Sequence, residues 1–157
     1  MPLTTTGIAI QILSSLRAHR DHLDQCTVND CKVVVNHLIR KFSEPLVRAE
    51  ESQVRQSKKV LAGAVGDTVR DHAVPVKVLL EQLLQLPDSF QEVSEENLAR
   101  LDKFLRESLL IVEVTRDEDR ILSRHGFQRE MPESWSTKGN ALYQDPLARY
   151  KECRIDV

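Results

Sequence analysis

Hydrophobic residues recur along most of the chain at the three- and four-residue spacing of an amphipathic α-helix. A first helix is predicted after the capping threonines at positions 4–6. Its inward face consists of Ala9, Ile12, Leu13, Leu16, His19 and Leu23. A second helix is predicted from Asn29 or Asp30, and its apolar stripe consists of Cys31, Val34, Val35, Leu38 and Phe42. The chain is therefore expected to begin with two helices that each bury one face.

A third helix is predicted over residues 46–62, because Ser43-Glu44-Pro45 has the cap, acid and proline typical of a helix start. Its apolar residues Val47, Val54 and Leu61 are seven positions apart and form only a narrow seam. We therefore expect this helix to be solvated or to face a partner.

Two further helices follow. Pro75 is predicted to open a strongly apolar fourth helix that ends before Pro87, and Ser94 is predicted to cap a fifth. Residues 109–115, LLIVEVT, are rich in β-branched side chains and predict a short strand, with a continuing helix as the alternative. The best strand partner is TVRDHAV at residues 68–74. Thr115 and Glu118 have capping-box spacing, so a sixth helix is predicted from there to Gly126.

These elements predict a mainly α fold, a compact bundle of about six helices with at most one short two-stranded β element. We expect one domain over residues 1–157, with a helical body at 1–126 and an irregular wrap at 127–157. The wrap carries four of the seven aromatic residues: Phe127, Trp135, Tyr143 and Tyr150. Disordered tails rarely contain so many aromatic residues. We therefore expect the segment to pack on the helices, with Trp135 as an anchor.

Composition limits the function classes. The 22 basic and 24 acidic residues nearly cancel, so the chain has no overall positive field that would gather nucleic acid. No apolar run approaches the length of a membrane span, and no membrane association is expected. Three cysteines, an odd number, indicate reduced thiols and a cytoplasmic location.

The stretch Asp71-His72-Ala73-Val74-Pro75 resembles the first motif of the HNH, or ββα-metal, nucleases. The resemblance implies that Asp71 ligates a divalent metal and that His72 activates water. It covers five residues, and the next asparagine and histidine, Asn97 and His125, lie outside the spacing of that family. The structural alternative is that Pro75 opens a helix and that Asp71 or His72 satisfies backbone groups before it.

Four short segments follow one another along the chain in the order DHAVP, VTRDED, MPESW and DPLARY. This order is similar to that in a group of short bacterial proteins without an assigned activity. The resemblance implies a bacterial cytosolic protein with an ordered C-terminal segment, and it assigns no functional residue.

His22, Cys26, Cys31 and His37 have a spacing that invites a zinc hypothesis. Cys31, however, already belongs to the predicted apolar stripe of the second helix. Buried lone cysteines are common core residues, so the structural interpretation is favoured.

Arg116, Arg120 and Arg124 are four residues apart, and with Arg129 they predict a basic ridge, called here the arginine ridge. The ridge suits a phosphate or an acidic protein surface. The acidic first turn of the same helix, residues 117–119, has the wrong sign for DNA. The alternative is a solvated face with ion pairs along the helix.

The sequence contains no complete catalytic motif. Both the G-x-S-x-G motif of serine hydrolases and the phosphate-binding G-x-x-x-x-G-K motif are absent from it. The primary hypothesis is a small cytosolic, non-enzymatic interaction or regulatory protein without a cofactor, which binds a protein partner or itself. The first alternative is a divalent-metal nuclease centred on Asp71 and His72. The second, less favoured, is a nucleic-acid-binding regulator that uses the arginine ridge.

Overall fold

The computed structural model describes residues 3–49, 54–64 and 66–157. This part of the chain contains eight helices, one 3-10 turn at Asp88–Gln91 and three strands. The helices are α1 (Thr5–Asp21), α2 (Val28–Ala49), α3 (Lys58–Leu61), α4 (Val76–Leu84), α5 (Glu95–Ser108), α6 (Arg116–Arg124), α7 (Glu133–Ser136) and α8 (Ala148–Glu152). The strands are β1 (Arg55–Gln56), β2 (Thr68–His72) and β3 (Ile111–Thr115). The prediction of a mainly helical fold is confirmed, and the small sheet has three strands where at most two were predicted.

The chain forms two compact units. Unit 1 contains residues 1–49 and 79–107, and unit 2 contains residues 50–78 and 108–157. The single domain predicted over residues 1–157 stays a prediction. No helix in the described ranges has both the length and the apolar character needed to cross a membrane.

Unit 1 is built on the α1–α2 hairpin. The Thr4 hydroxyl accepts a hydrogen bond from the Gly7 amide at 3.0 Å and caps α1, as predicted. The two helices bury their facing stripes, which consist of Ile8, Ala9, Ile12, Leu13, Leu16, Cys31, Val35, Leu38, Ile39 and Phe42. Leu23 and Val34 were predicted to face inward but are exposed. Leu23 lies beyond the end of α1, and Val34 lies at the edge of the buried stripe.

The prediction of a separate third helix at residues 46–62 is wrong. Helix α2 continues through Pro45 to Ala49, and the Ser43 hydroxyl donates to the Arg40 carbonyl at 2.7 Å and does not cap a new helix. Residues 50–53 lie outside the described part of the chain. Beyond them, Arg55 and Gln56 form a strand, and only Lys58–Leu61 is helical. Pairing with β3 has overridden the local helical pattern.

Unit 2 is built on a sheet with strand order β1-β3-β2. Strand β3 runs antiparallel to β2, with Thr68 opposite Thr115 and His72 opposite Ile111, and parallel to β1. The predicted pairing of residues 109–115 with 68–74 is therefore confirmed. The core beside this sheet consists of Ala73, Val112, Val114, Leu122, Tyr150, Cys153 and Ile155.

Helix α6 starts directly at the end of β3. The Thr115 hydroxyl accepts from the Glu118 amide, and the Glu118 carboxylate accepts from the Thr115 amide at 2.9 Å, which is the predicted capping box. Gly126 follows the helix with φ +77°, where an L side chain would be strained. Both predicted ends of this helix are therefore confirmed.

The C-terminal segment contains two short helices, α7 and α8, within otherwise irregular chain. Trp135 on α7 is half-buried, whereas Tyr150 on α8 is completely buried in the unit 2 core. The predicted anchor, Trp135, is thus only partly buried. Tyr150 is the more deeply buried aromatic residue, because α8 carries it to the end of β2.

Candidate functional site

Asp71 and His72 are the last two residues of β2. Each is half-buried, and the Asp71 side chain is 22% exposed. Their partners across the ladder are Val112 and Ile111 on β3. The pair that resembles a nuclease motif is therefore held at the end of a strand.

The Arg149 guanidinium determines what surrounds this pair. Its side chain is 1% exposed. Its Nη2 donates to Asp71 Oδ2 at 2.7 Å and to the His72 carbonyl, and its Nε donates to the Ala73 carbonyl at 2.9 Å. Its Nη1 donates to the Phe127 carbonyl at 2.5 Å. We call this set, together with Tyr150, the Arg149 cluster.

The Tyr150 hydroxyl completes the cluster. It donates to the same oxygen, Asp71 Oδ2, at 2.7 Å. Burial, followed by the neighbouring Asp71 carboxylate, raises the pKa of the Tyr150 hydroxyl well above its ordinary value of 10.0. Tyr150 therefore acts as a neutral donor, and Arg149 supplies the charge that balances Asp71.

Asp145 and Pro146 position both residues by starting α8. Asp145 Oδ1 accepts from the Leu147 amide at 2.9 Å, and the Asp145 carbonyl accepts from the Ala148 amide at 3.0 Å. Burial opposes ionisation of this carboxyl, but the Lys151 ammonium and the Leu147 amide outweigh it and lower the pKa of Asp145. The DPLARY segment is thus a self-contained turn and helix that presents Arg149 and Tyr150 to β2.

The geometry limits the chemistry available to Asp71. Two donors, one of them a cation, bind Oδ2, so a metal ion at this oxygen would compete with both. Within residues 3–49, 54–64 and 66–157, no group of three or more His, Cys, Asp or Glu side chains is placed to hold a metal ion. The arrangement is that of a structural acceptor.

The four residues of the zinc hypothesis lie in different environments within unit 1. Cys31 is buried in the α1–α2 interface, where its Sγ donates to the Ser15 carbonyl at 3.7 Å. His37 lies on the exposed side of α2, and His22 follows the end of α1. The structure therefore gives Cys31 the core role that the sequence favoured.

The four arginines of the arginine ridge are all exposed. Arg116 pairs with Asp67 at 3.3 Å and Arg120 with Asp117 at 3.0 Å. Arg124 and Arg129 make no ion pair with the residues that the structure describes. Two of the four arginines thus have an acidic neighbour at the surface, in ion pairs that are largely exposed.

The segments DHAVP, VTRDED, MPESW and DPLARY all lie in unit 2. DPLARY contacts DHAVP through the Arg149 cluster, and the Ser134 hydroxyl of MPESW donates to Glu152 on α8 at 2.7 Å. Sequence analysis missed Arg149 and Tyr150 as central residues. The available signal was an arginine that stands between two apolar residues, Ala148 and Tyr150, in a segment whose apolar residues join the core.

Comparison of the chain with protein-family models, with curated proteins and with solved structures found no significant match.

Replacement of Arg149 by lysine is expected to lower the free energy of unfolding of unit 2 by about 3 kcal/mol. Lysine keeps the charge but lacks the planar fork, so several buried acceptors lose their donors. Urea unfolding followed by the fluorescence of Trp135, the one tryptophan of the chain and a residue of unit 2, measures the change. Arg154→Lys, at an exposed arginine, is the matched control. A loss no larger than that of the control would contradict a central role for Arg149.

Tyr150→Phe is expected to cost about 1–3 kcal/mol at pH 8, because a hydrogen bond to a charged group is removed. This cost should shrink above pH 10. Because the pKa of Tyr150 is higher in the folded chain, the unfolded chain loses the phenolic proton first as pH rises. The stabilisation by Tyr150 is therefore complete below the pKa of the unfolded chain and is lost above it. Urea unfolding from pH 8 to 11 tests this. Tyr143→Phe, at an exposed tyrosine, should follow the wild type at every pH.

Proposed function

We propose that the protein is a non-enzymatic interaction or regulatory protein that self-associates through the outer face of α2. One observation carries the proposal. Of the nine large hydrophobic side chains that are exposed in the described part of the chain, six lie in the first 34 residues: Leu3, Ile10, Leu23, Val28, Val33 and Val34. Three of these six residues, Val28, Val33 and Val34, belong to α2. Exposed apolar side chains that lie next to each other are typical of protein contact sites, whereas single scattered ones are not.

Val33 and Val34 are neighbours on the outer face of α2. Val33 is 73% exposed and Val34 is 46% exposed, and His37 lies one turn further on the same side. Valine is a poorer helix former than alanine, leucine or lysine. An exposed valine pair therefore costs α2 local stability without adding to the core, and contact with a partner would offset that cost.

The charges on α2 favour a second copy of the chain as the partner. Asp30 lies one turn before the valines, and Arg40 and Lys41 lie about two turns after them. When two α2 helices pack antiparallel about a two-fold axis near Asn36, the acid of each copy meets the bases of the other. Such a contact is self-complementary and closes as a dimer. Lys41 has a local partner in Glu44, and a surface ion pair of this kind exchanges at little cost. Asp30 accepts hydrogen bonds from Thr27, and Arg40 donates to the Asn36 side chain.

A double variant, Val33→Lys with Val34→Glu, is expected to weaken self-association by roughly tenfold or more, about 1.4 kcal/mol per tenfold step. Charged side chains cannot be buried at the centre of an apolar contact without a large desolvation cost. Sedimentation velocity over a concentration series measures the dimer fraction. Val93→Lys removes a valine that is 44% exposed and lies outside α2, and it should leave association unchanged. A wild type that stays monomeric throughout the series would refute the proposal.

A divalent-metal nuclease is the second candidate. The observation in its favour is that Asp71 and His72 end a strand of an antiparallel pair and remain partly exposed. The occupation of Asp71 Oδ2 by Arg149 and Tyr150 weighs against it. Nucleic-acid binding through the arginine ridge is less favoured still, because the acidic first turn of α6, residues 117–119, lies beside these arginines and would repel phosphate.

Plasmid nicking in Mg²⁺ or Mn²⁺ separates the first two candidates. We expect no metal-dependent cleavage and no metal-induced rise in Tm for the wild type, since a metal that bound the folded state would stabilise it. Cleavage that is lost in His72→Ala and kept in His125→Ala, at an exposed histidine, would instead establish the nuclease.

A further inference from the structure

Unit 2 contains a small pocket formed by α3, α6 and the residues after α8. Its volume is about 110 Å³, and its lining consists of Lys58, Lys59, Glu118, Ile121, Arg154, Ile155 and Asp156. One water molecule needs roughly 10–15 Å³ of such space. The pocket is therefore large enough for a compound of several non-hydrogen atoms.

Glu118 gives the pocket a buried negative charge with unused acceptor capacity. The residue is 2% exposed. Its Oε2 accepts from the Ser57 hydroxyl at 2.7 Å and from the Thr115 amide at 2.9 Å. Its Oε1 receives no hydrogen bond from the residues that the structure describes. Since Glu118 belongs to the lining of the pocket, Oε1 is an acceptor that a donor entering the pocket can use.

Two positive charges accompany this carboxylate. Lys59 and Arg154 are exposed and have no ion-pair partner in the described ranges, whereas Lys58 is paired with Asp156 at 3.3 Å. Arg154 has φ +55°, in the left-handed region where glycine is the usual residue after a helix. The strained backbone at this position thus carries a guanidinium at the pocket.

We propose that the pocket binds a small α-amino acid. Its ammonium group donates to Glu118 Oε1, and its carboxylate is held by Arg154 and Lys59. A plain anion would meet the repulsion of Glu118, and a plain amine would leave both cations unpaired, so a molecule with both groups matches the pocket best. The proposal is independent of self-association, since the pocket and α2 belong to different units.

Titration of the full chain with glycine and L-alanine, followed by ¹H–¹⁵N NMR, tests the proposal. We expect saturable shifts of the amides that line the pocket. Acetate and methylamine, which each carry half of the recognised groups, should bind far more weakly. Equal binding of acetate and alanine, or no binding of either amino acid, would overturn the proposal.

Two variants assign the binding to this pocket. Glu118→Gln keeps the acceptor that the capping box requires and removes the charge that holds the ammonium. Arg154→Gly removes the guanidinium and suits the positive φ, so folding is preserved. Each is expected to weaken amino-acid binding by roughly tenfold or more. Gln144→Gly changes the other described non-glycine residue with positive φ, 54°, outside the pocket, and it should bind like the wild type. Undiminished binding in both pocket variants would refute the assignment.

Discussion

The architecture of unit 2 depends on one buried cation. Removing a guanidinium from water is unfavourable unless its charge is paired and its donors are used, and Arg149 meets both conditions. Its carboxylate partner, Asp71, is 78 positions away in sequence. The cluster therefore forms only when β2, the residues after α6, and α8 have come together, and it favours that arrangement over other compact ones.

The same unit contains a second buried charge that is satisfied differently. Every nitrogen of the Arg149 guanidinium donates to an acceptor within the chain, so this group is closed to other molecules. Glu118 also stabilises the fold, through Thr115 and Ser57, but it does so with one oxygen only. Arg149 therefore has a structural role, whereas Glu118 has a structural role and also an acceptor oxygen in a pocket. Both residues are buried, so burial does not distinguish them; the number of their polar atoms that have hydrogen-bond partners does.

Features that depend on neighbouring residues were predictable from the sequence. The Thr115–Glu118 capping box and the helix start after Pro75 are of this kind, as is the glycine that ends α6. Features that depend on distant residues were not. Gln56 contacts Glu113, 57 positions away, and no local signal could show that this segment would add a strand to β3. The burial of Arg149 could not be predicted either, since its partners are distant in sequence. In addition, arginine is normally an exposed residue.

The segment DHAVP illustrates why a short motif leaves its chemistry open. An acid before a helix-starting proline suits a metal ligand and equally suits an acceptor for buried donors, and only the groups that approach the carboxylate distinguish the two. In this chain a guanidinium and a phenol approach the same oxygen of Asp71, each at 2.7 Å. A divalent cation there would lie against a buried positive charge, which is strongly unfavourable in a poorly solvated site. Asp71 Oδ2 is thus used within the fold, and the interactions that we propose for this chain use groups with no such partner: the exposed valines of α2 and the carboxylate of Glu118 in its pocket.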